Sequence, residues 1–435
     1  MGCGKSKILI DTAAALYLAG KIDAVLLLAP KGVYKNWPNN ELPTHWPKHL
    51  PMTVSTSDVD PDKGLFWLVM NIEALSYQSG VTRAAKLVGR FGSRVLVAVD
   101  ESTTIKNIRA KRTQVLIKLT RRAAYRRILT GDPIPKGPLD LFSQGLFLSP
   151  QALGFTSFYA FRSRYCEVVE WGVNGRMFKI VTGYQRLDEL KDRVKTFSYR
   201  VTKDQCLDLP PKVYQTWDVE LTPQQAKLYK EMKASAMAEL TRDKIATATV
   251  VLTQLTRLHQ ITCGFFKPDV GDEVDLESYR LQALLDAVDA ISGKVLIWAT
   301  YRRNIKTIIE HLGRDYGANS VVGYYGDTSD ADRQDGIERF QKGDARFFVG
   351  NPATGRFGLT LTASSSVIYY SNSYDLEHRT QSEDRVHRIG QQATSVNYID
   401  LIARGTVDER IISALKLKRR ISAMVNGDEI REWFK

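Results

Sequence analysis

Gly2-Cys3-Gly4-Lys5-Ser6 has the form of the closing half of a phosphate-binding loop, Gly-Lys-Ser running into a helix. Small residues let backbone N–H groups crowd around phosphate oxygens; the lysine reaches the outer phosphates, and the serine hydroxyl sits on a magnesium ion. The helix that must follow is legible, because Ile8, Leu9, Thr12, Ala13, Leu16 and Tyr17 recur at helical spacing and Gly20 ends it. The same letters fit an N-terminal lipidation signal, Met-Gly-x-x-x-Ser with Cys3 as a second acylation site. The two readings differ in what they require downstream. A phosphate loop needs an Asp-Glu pair at the end of a later strand, and lipidation needs nothing further.

Asp100-Glu101 is that pair, closing the apolar run Val95-Leu96-Val97-Ala98-Val99. Strand ends are where α/β proteins place ligand-binding groups. Asp100 is suited to hold magnesium and Glu101 to orient and deprotonate an attacking water. Alone, such a pair equally describes a solvated turn; coupled to Lys5 and Ser6 it favours the phosphate loop. Around it, residues 24–29, 65–70, 94–99 and 125–130 are apolar without alternation, which means strands covered on both faces and hence a parallel α/β sheet. A second series occupies 295–298, 320–324, 346–349, 367–370 and 396–401. Leu209-Pro210-Pro211-Lys212 breaks the chain between the two series and reads as a crossing from one domain to the next. The expected organisation is a lobe at 1–205 with a helical insertion at about 150–195, then a lobe at 206–435. The second lobe carries a helical insertion at about 222–264 and a C-terminal helix from about 407.

With 435 residues, two or three domains are expected, and 43% hydrophobic content is that of a soluble globular protein. The net charge of +13 favours a polyanionic partner over a merely basic surface. Cys3, Cys166, Cys206 and Cys263 form no Cys-x-x-Cys pair, which argues for a reducing compartment, cytoplasm or nucleus, and against a zinc site. No apolar run approaches the length of a membrane span, so no membrane partner is expected.

Arg385 and Arg388, within Gln381-Ser382-Glu383-Asp384-Arg385-Val386-His387-Arg388-Ile389-Gly390-Gln391, are three apart. On a helix they would project from one face towards one target. Guanidinium groups can stabilise the charge that builds on a transferred phosphate. A surface helix laced with salt bridges to Glu383 and Asp384 is the plain alternative. His387 has no partner at ligand spacing and reads as a packing or hydrogen-bonding residue.

With these motifs in this order, the chain resembles the Swi/Snf-type branch of superfamily-two helicases, the double-stranded-DNA translocases, and most closely their compact phage and bacterial members. The family's first motif matches Gly2 to Ser6; its Ia motif matches Leu28-Ala29-Pro30 through Trp37. Its second matches Asp100-Glu101-Ser102-Thr103 and its third Leu129-Thr130-Gly131-Asp132-Pro133-Ile134. In the second half, residues 295–302 are similar to motif IV, Gly358-Leu359-Thr360-Leu361-Thr362 to motif V, and residues 385–391 to motif VI.

The resemblance implies two RecA-like lobes that clamp ATP and magnesium, with Arg385 and Arg388 as paired arginine fingers and Glu101 as base. Nucleotide contacts then fall on Gly2, Cys3, Gly4, Lys5, Ser6, Lys7, Asp100 and Gln381, and magnesium on Ser6 and Asp100. Duplex DNA is the implied partner of a monomeric motor. Its contacts fall on Lys31, Lys35, Trp37, Lys106, Arg302, Arg303, Thr354, Gly358 and Thr360, although Trp37 serves equally as a core residue and the basic segment around Lys106 as a solvated face.

Four features depart from the family pattern. Thr103 stands where a histidine is usual, Asp132 where a threonine is, and Thr360 where an asparagine is. No strand precedes the phosphate loop, which implies an N-terminally truncated motif or a strand supplied from elsewhere. The alternatives to a duplex translocase are a strand-separating helicase of DNA or RNA, and a nucleic-acid-binding scaffold that has lost ATPase activity.

Overall fold

The computed structural model describes residues 3–173, 176–242, 248–268, 271–354 and 359–426. The chain forms two compact units. The first contains Met1–Val169 and Lys179–Cys206, together with the described residues from Lys418 on; the second contains Leu207–Leu417 and the hairpin segment Glu170–Phe178.

Five parallel strands build the first unit: β1 (Ala24–Ala29), β2 (Met52–Ser55), β3 (Leu65–Asn71), β4 (Val95–Asp100) and β5 (Tyr125–Leu129), in the order β2-β3-β1-β4-β5. All six residues of β1 are buried. Successive side chains of a strand point to opposite faces, so Ala24, Leu26 and Leu28 join one core, with Ala84, Leu87, Val88 and Leu116. Val25, Leu27 and Ala29 join the other, with Leu9, Ile10, Ala13, Trp37 and Trp46. The first helix, Lys5–Leu18, buries Leu9, Ile10, Ala13 and Ala14. Its apolar face is therefore rotated from the expected one, and Ile8 is half exposed. Ile10 and Ala14, one turn apart, supply the contact that Ile8 and Thr12 were expected to share.

Residues 150–195 carry helices Phe158–Tyr165 and Leu187–Lys195, as the aromatic and basic pattern predicts. Between them lie two strands that the pattern hides, β6 (Cys166–Val173) and β7 (Arg176–Tyr184), paired with each other alone.

The second unit is a six-stranded parallel sheet. β8 (Lys212–Val219) follows the Pro210-Pro211 break directly, and the short pair β9 (Phe265–Phe266) and β10 (Val274–Asp275) lies outside the sheet. Then come β11 (Val295–Trp298), β12 (Val321–Tyr324), β13 (Phe347–Gly350), β14 (Ser366–Tyr369) and β15 (Val396–Ala403), in the order β12-β13-β11-β14-β15-β8. β8 lies at the sheet edge and is mostly exposed, with only Val219 buried, so it carries no run of apolar residues to mark it as a strand. Val295 and Ile297 face a core with Leu284, Ile305 and Ile308, while Leu296 and Trp298 face one with Phe340, Leu361 and Val386. The helix-rich stretch after β8 resolves into Pro223–Arg242 and Ala248–Thr262. No helix among the described residues is long and apolar enough to cross a membrane.

One buried cation ties the second unit's helices to its sheet. Arg280 is fully buried and donates to the carbonyl oxygens of Thr262, Tyr370 and Leu401 and to the Asp408 carboxylate. Burial alone would raise the Asp408 pKa, but Arg280 and His259 outweigh it and hold the carboxyl below its usual range. Replacing Arg280 by methionine keeps the stem and strands the carboxylate. The expected loss is about 3–5 kcal/mol, measured as the fall in unfolding free energy of this unit in urea.

Candidate functional site

Gly4, which precedes the first helix, has φ +79, a left-handed conformation that side chains resist. The turn points the first N–H groups of a fourteen-residue helix outward, with no side-chain cap and no acidic residue in the first turn. Such an N-terminus accepts anions. Lys5 Nζ lies 3.6 Å from Glu101 Oε1, so the loop lysine and the strand-end carboxylate meet, as the sequence requires. Lys7 instead faces Asp11 one helical turn away, at 2.5 Å. Gly2 lies outside the described residues.

Glu101 has φ 49 and is one of two non-glycine residues with positive φ among those described, the other being Arg186. Holding a side-chain-bearing residue there costs about 1–3 kcal/mol and is typical of functional sites. The turn swings Glu101 off the strand axis, and its N–H donates to Asp100 Oδ1 at 3.0 Å. Burial, followed by the charge of Glu101, pushes the Asp100 pKa up to about 6 against the pull of Lys5 and Trp37. A carboxylate this poorly compensated fits a site for a divalent cation, as the hard oxygen donor it would need. Next along the chain, Ser102 donates to Gln144 at 2.6 Å, and Thr103 is buried. The hydroxyl at 103 thus stands inside the core where a family histidine would be.

Trp37 does not face nucleic acid. It is 2% exposed, and its Nε1 donates to Asp100 Oδ2 at 3.0 Å. An indole has a large apolar body and one donor, so burial is favourable when that donor finds an acceptor. The expectation of a DNA contact is corrected: Trp37 orients the acidic residue. Sequence offered no signal for this, because residues 37 and 100 lie on different elements.

Asp132, the unusual residue of the third motif, is also internal. It accepts Ser422 Oγ at 2.8 Å and the Ile134 N–H at 3.1 Å, and burial raises its pKa. Ser422 belongs to the final helix, Val407–Asn426. The substitution therefore comes with a partner from the chain's end.

In the second unit, the helix carrying Gln381 stops at Glu383. Arg385 and Arg388 lie beyond it on a turn, not on one helical face as expected. They converge nevertheless: Nη1 of each donates to the Leu359 carbonyl, at 3.1 and 2.9 Å. Arg385 Nε also donates to the Gln381 carbonyl at 2.9 Å, and the Leu361 N–H donates to the Arg385 carbonyl at 2.9 Å. The segment resembling motif V is thus the shelf on which the arginine turn rests. Val386, between the two arginines, is fully buried in the core and fixes the turn's register. Gln381 is buried and donates to Glu377 at 3.3 Å.

Among the residues expected to meet DNA, Lys31 and Lys35 are exposed and Lys106 is partly buried. Arg302 is exposed beside Asp327 at 3.0 Å, whereas Arg303 is bound by Asp275 and Glu273. Thr354 and Thr360 are partly buried, and Gly358 lies outside the described residues.

Comparison with known proteins places this geometry. A model of the SNF2-related domain matches residues 1–265, and one of the helicase conserved C-terminal domain matches residues 279–390. The DNA annealing helicase and endonuclease ZRANB3 of Bos taurus is 27% identical over 98% of this chain and 38% of its own length. The putative ATP-dependent helicase/translocase YwqA of Bacillus subtilis is 26% identical over 77% of this chain and 36% of its own. The chain thus spans little more than a third of these curated relatives. Among solved structures, the Sulfolobus solfataricus SWI2/SNF2 ATPase core in complex with dsDNA is 27% identical, with TM-score 0.41, covering 98% of this chain and 88% of that one. These relatives are bacterial, archaeal and eukaryotic, and the expected phage kinship finds no support among them.

Two outcomes follow from the acidic site. The unfolded-state pKa of Asp100 is 3.8 and the folded one about 6, so the native state binds more protons between them and the charged carboxylate is a liability above pH 6. Asp100→Asn should therefore stabilise the nucleotide-free protein at pH 7.5, by at most about 3 kcal/mol, with the gain shrinking towards pH 4; thermal unfolding across pH 4–8 measures it. Trp37→Phe, which removes the donor and keeps the ring, should cost about 1–2 kcal/mol and leave duplex DNA affinity unchanged in a fluorescence-anisotropy titration.

Proposed function

The chain belongs to the SNF2-related family, and we propose that it is an ATP-driven motor that travels along duplex DNA, hydrolysing ATP to ADP and phosphate. One observation carries the reading: Lys5 at a helix N-terminus opposes Glu101, with Asp100 beside it at the end of a parallel strand. The helix N-terminus, Gly4 and Lys5 bind the triphosphate; Cys3 and Ser6 lie at the same turn. Asp100, oriented by Trp37, and Ser6 hold magnesium, which when bound neutralises charge on the phosphates. Glu101 orients the attacking water and takes its proton at a carboxylate oxygen. Arg385 and Arg388 leave the Leu359 carbonyl for the γ-phosphate, where they stabilise developing negative charge.

Lys31, Lys35, Lys106, Arg302, Thr354 and Thr360 are proposed contacts to the DNA backbone. The excess of 61 lysines and arginines over 48 acidic residues supports a polyanionic partner. Phosphate contacts carry no sequence information, so binding is sequence-tolerant and weakens steeply with salt. Arg303, held between two carboxylates, contributes only if it exchanges them for phosphate.

ATP hydrolysis in the presence of blunt duplex, single-stranded DNA and single-stranded RNA tests the assignment. Duplex DNA should stimulate most, and stronger stimulation by single-stranded RNA would overturn it. Glu101→Gln should lower kcat about 10²–10⁴-fold with ATP affinity retained, whereas Lys5→Ala should lose nucleotide binding.

A further inference from the structure

Pro210, Pro211 and Lys212, the proline-led crossing segment, which lies within the second unit and leads into β8, are fastened to the turn that carries Arg385 and Arg388. The His387 ring lies with Nε2 2.9 Å from the Pro210 carbonyl oxygen. A carbonyl can only accept, so Nε2 bears the proton and donates. Lys212 Nζ sits 3.1 Å from Glu383 Oε2 and 3.8 Å from Asp384 Oδ1, on the two residues that immediately precede Arg385. The Val396 N–H donates to the Pro211 carbonyl at 2.9 Å, which seats the crossing on the strand following the turn.

The anchor at Glu383 is built, not incidental. Its side chain is 1% exposed and accepts from Lys212, from Tyr214 Oη at 2.8 Å and from Arg379 Nε at 2.8 Å. Its carbonyl accepts Tyr398 Oη at 3.0 Å. Arg379 is in turn gripped by Asp400 and Asn372 and lies over the Tyr369 ring. A carboxylate satisfied on both oxygens in a dry interior does not drift, because every alternative position leaves a charge unpaired. On the crossing side, two consecutive prolines hold φ fixed, and neither has an N–H to lend elsewhere.

We infer that Lys212 and His387 are positioning residues that hold the arginine turn against the Pro210–Lys212 segment, so that Arg385 and Arg388 are kept in one arrangement. The inference rests on the motor reading for its kinetic consequence, but the tether itself is testable without any activity.

Hydrogen exchange of the whole protein reads the tether directly. In His387→Ala and in Lys212→Met, which keeps the stem and removes the ammonium that lies over the Tyr398 ring, amides at 384–391 should exchange at least about tenfold faster, with those of β11 unchanged. His387→Gln, which restores a side-chain donor, should recover protection. In duplex-stimulated ATP hydrolysis the first two variants should lose about tenfold or more in kcat, with KM for ATP within about twofold, since binding of the ground state is untouched. Unchanged exchange at 384–391 would overturn the tether. Normal kcat despite faster exchange, or a kcat loss that His387→Gln does not recover and that parallels a fall in Tm, would overturn the positioning role and leave a structural contact. A wild-type protein without duplex-stimulated hydrolysis would sink the motor reading and the kinetic half of this inference, while the exchange result still decided the tether.

Discussion

The central strands of both sheets are apolar on both faces, and the placement of the acidic pair follows from that. β1, β4, β11 and β13 leave no room for a polar side chain along their length, because helices cover each side. Backbone N–H and C=O groups are satisfied in the plane of the sheet by parallel pairing. Polar side chains must then appear where the strands stop. Asp100 and Glu101 emerge where β4 ends. Asn351 follows β13, and its side chain donates to the Thr300 carbonyl, just past β11, at 2.7 Å. Along these central strands polar groups gather at the ends because the covered faces exclude them elsewhere.

That same exclusion governed what could be read in advance. Runs of consecutive apolar residues announce a strand buried on two sides, so the central strands of both sheets were legible, with bounds one residue off at several ends. β2 is half-buried throughout and β8 mostly exposed, so neither carries the apolar run that marks the other strands. The hairpin of β6 and β7 was missed because charged and aromatic residues dominate it. The Gly-Lys-Ser segment and the acidic pair stand out because spacing within one short segment is itself the signal, whereas the helical spacing of Arg385 and Arg388 misleads, since they converge from a turn. Trp37 on Asp100, Ser422 on Asp132 and Lys212 on Glu383 join residues 63, 290 and 171 positions apart. No local pattern encodes such pairs; only the fold brings them together.

Charge is treated differently in the two units. In the first, the acidic site is left short of compensation, and the Asp100 pKa rises accordingly. In the second, Arg280 and Arg379 are wrapped in acceptors, and their carboxylate partners Asp408 and Glu383 are buried with them. An under-compensated carboxylate invites a cation from solution. A fully satisfied pair instead fixes geometry, because parting it would leave two costly charges in a dry interior. Among the described residues the acidic pair beside Lys5 is a site of the open kind, and the clusters around Arg280 and behind the arginine turn are of the closed kind.

The single oxygen shared by Arg385 and Arg388 has a consequence for how readily they can be called upon. A peptide carbonyl has two lone pairs, so either guanidinium can depart while the other keeps that oxygen satisfied. At that oxygen the first departure orphans nothing, although departure of Arg385 also withdraws its Nε from the Gln381 carbonyl. Such a berth keeps the two arms separable, because releasing one of them does not bare the oxygen on which both rest.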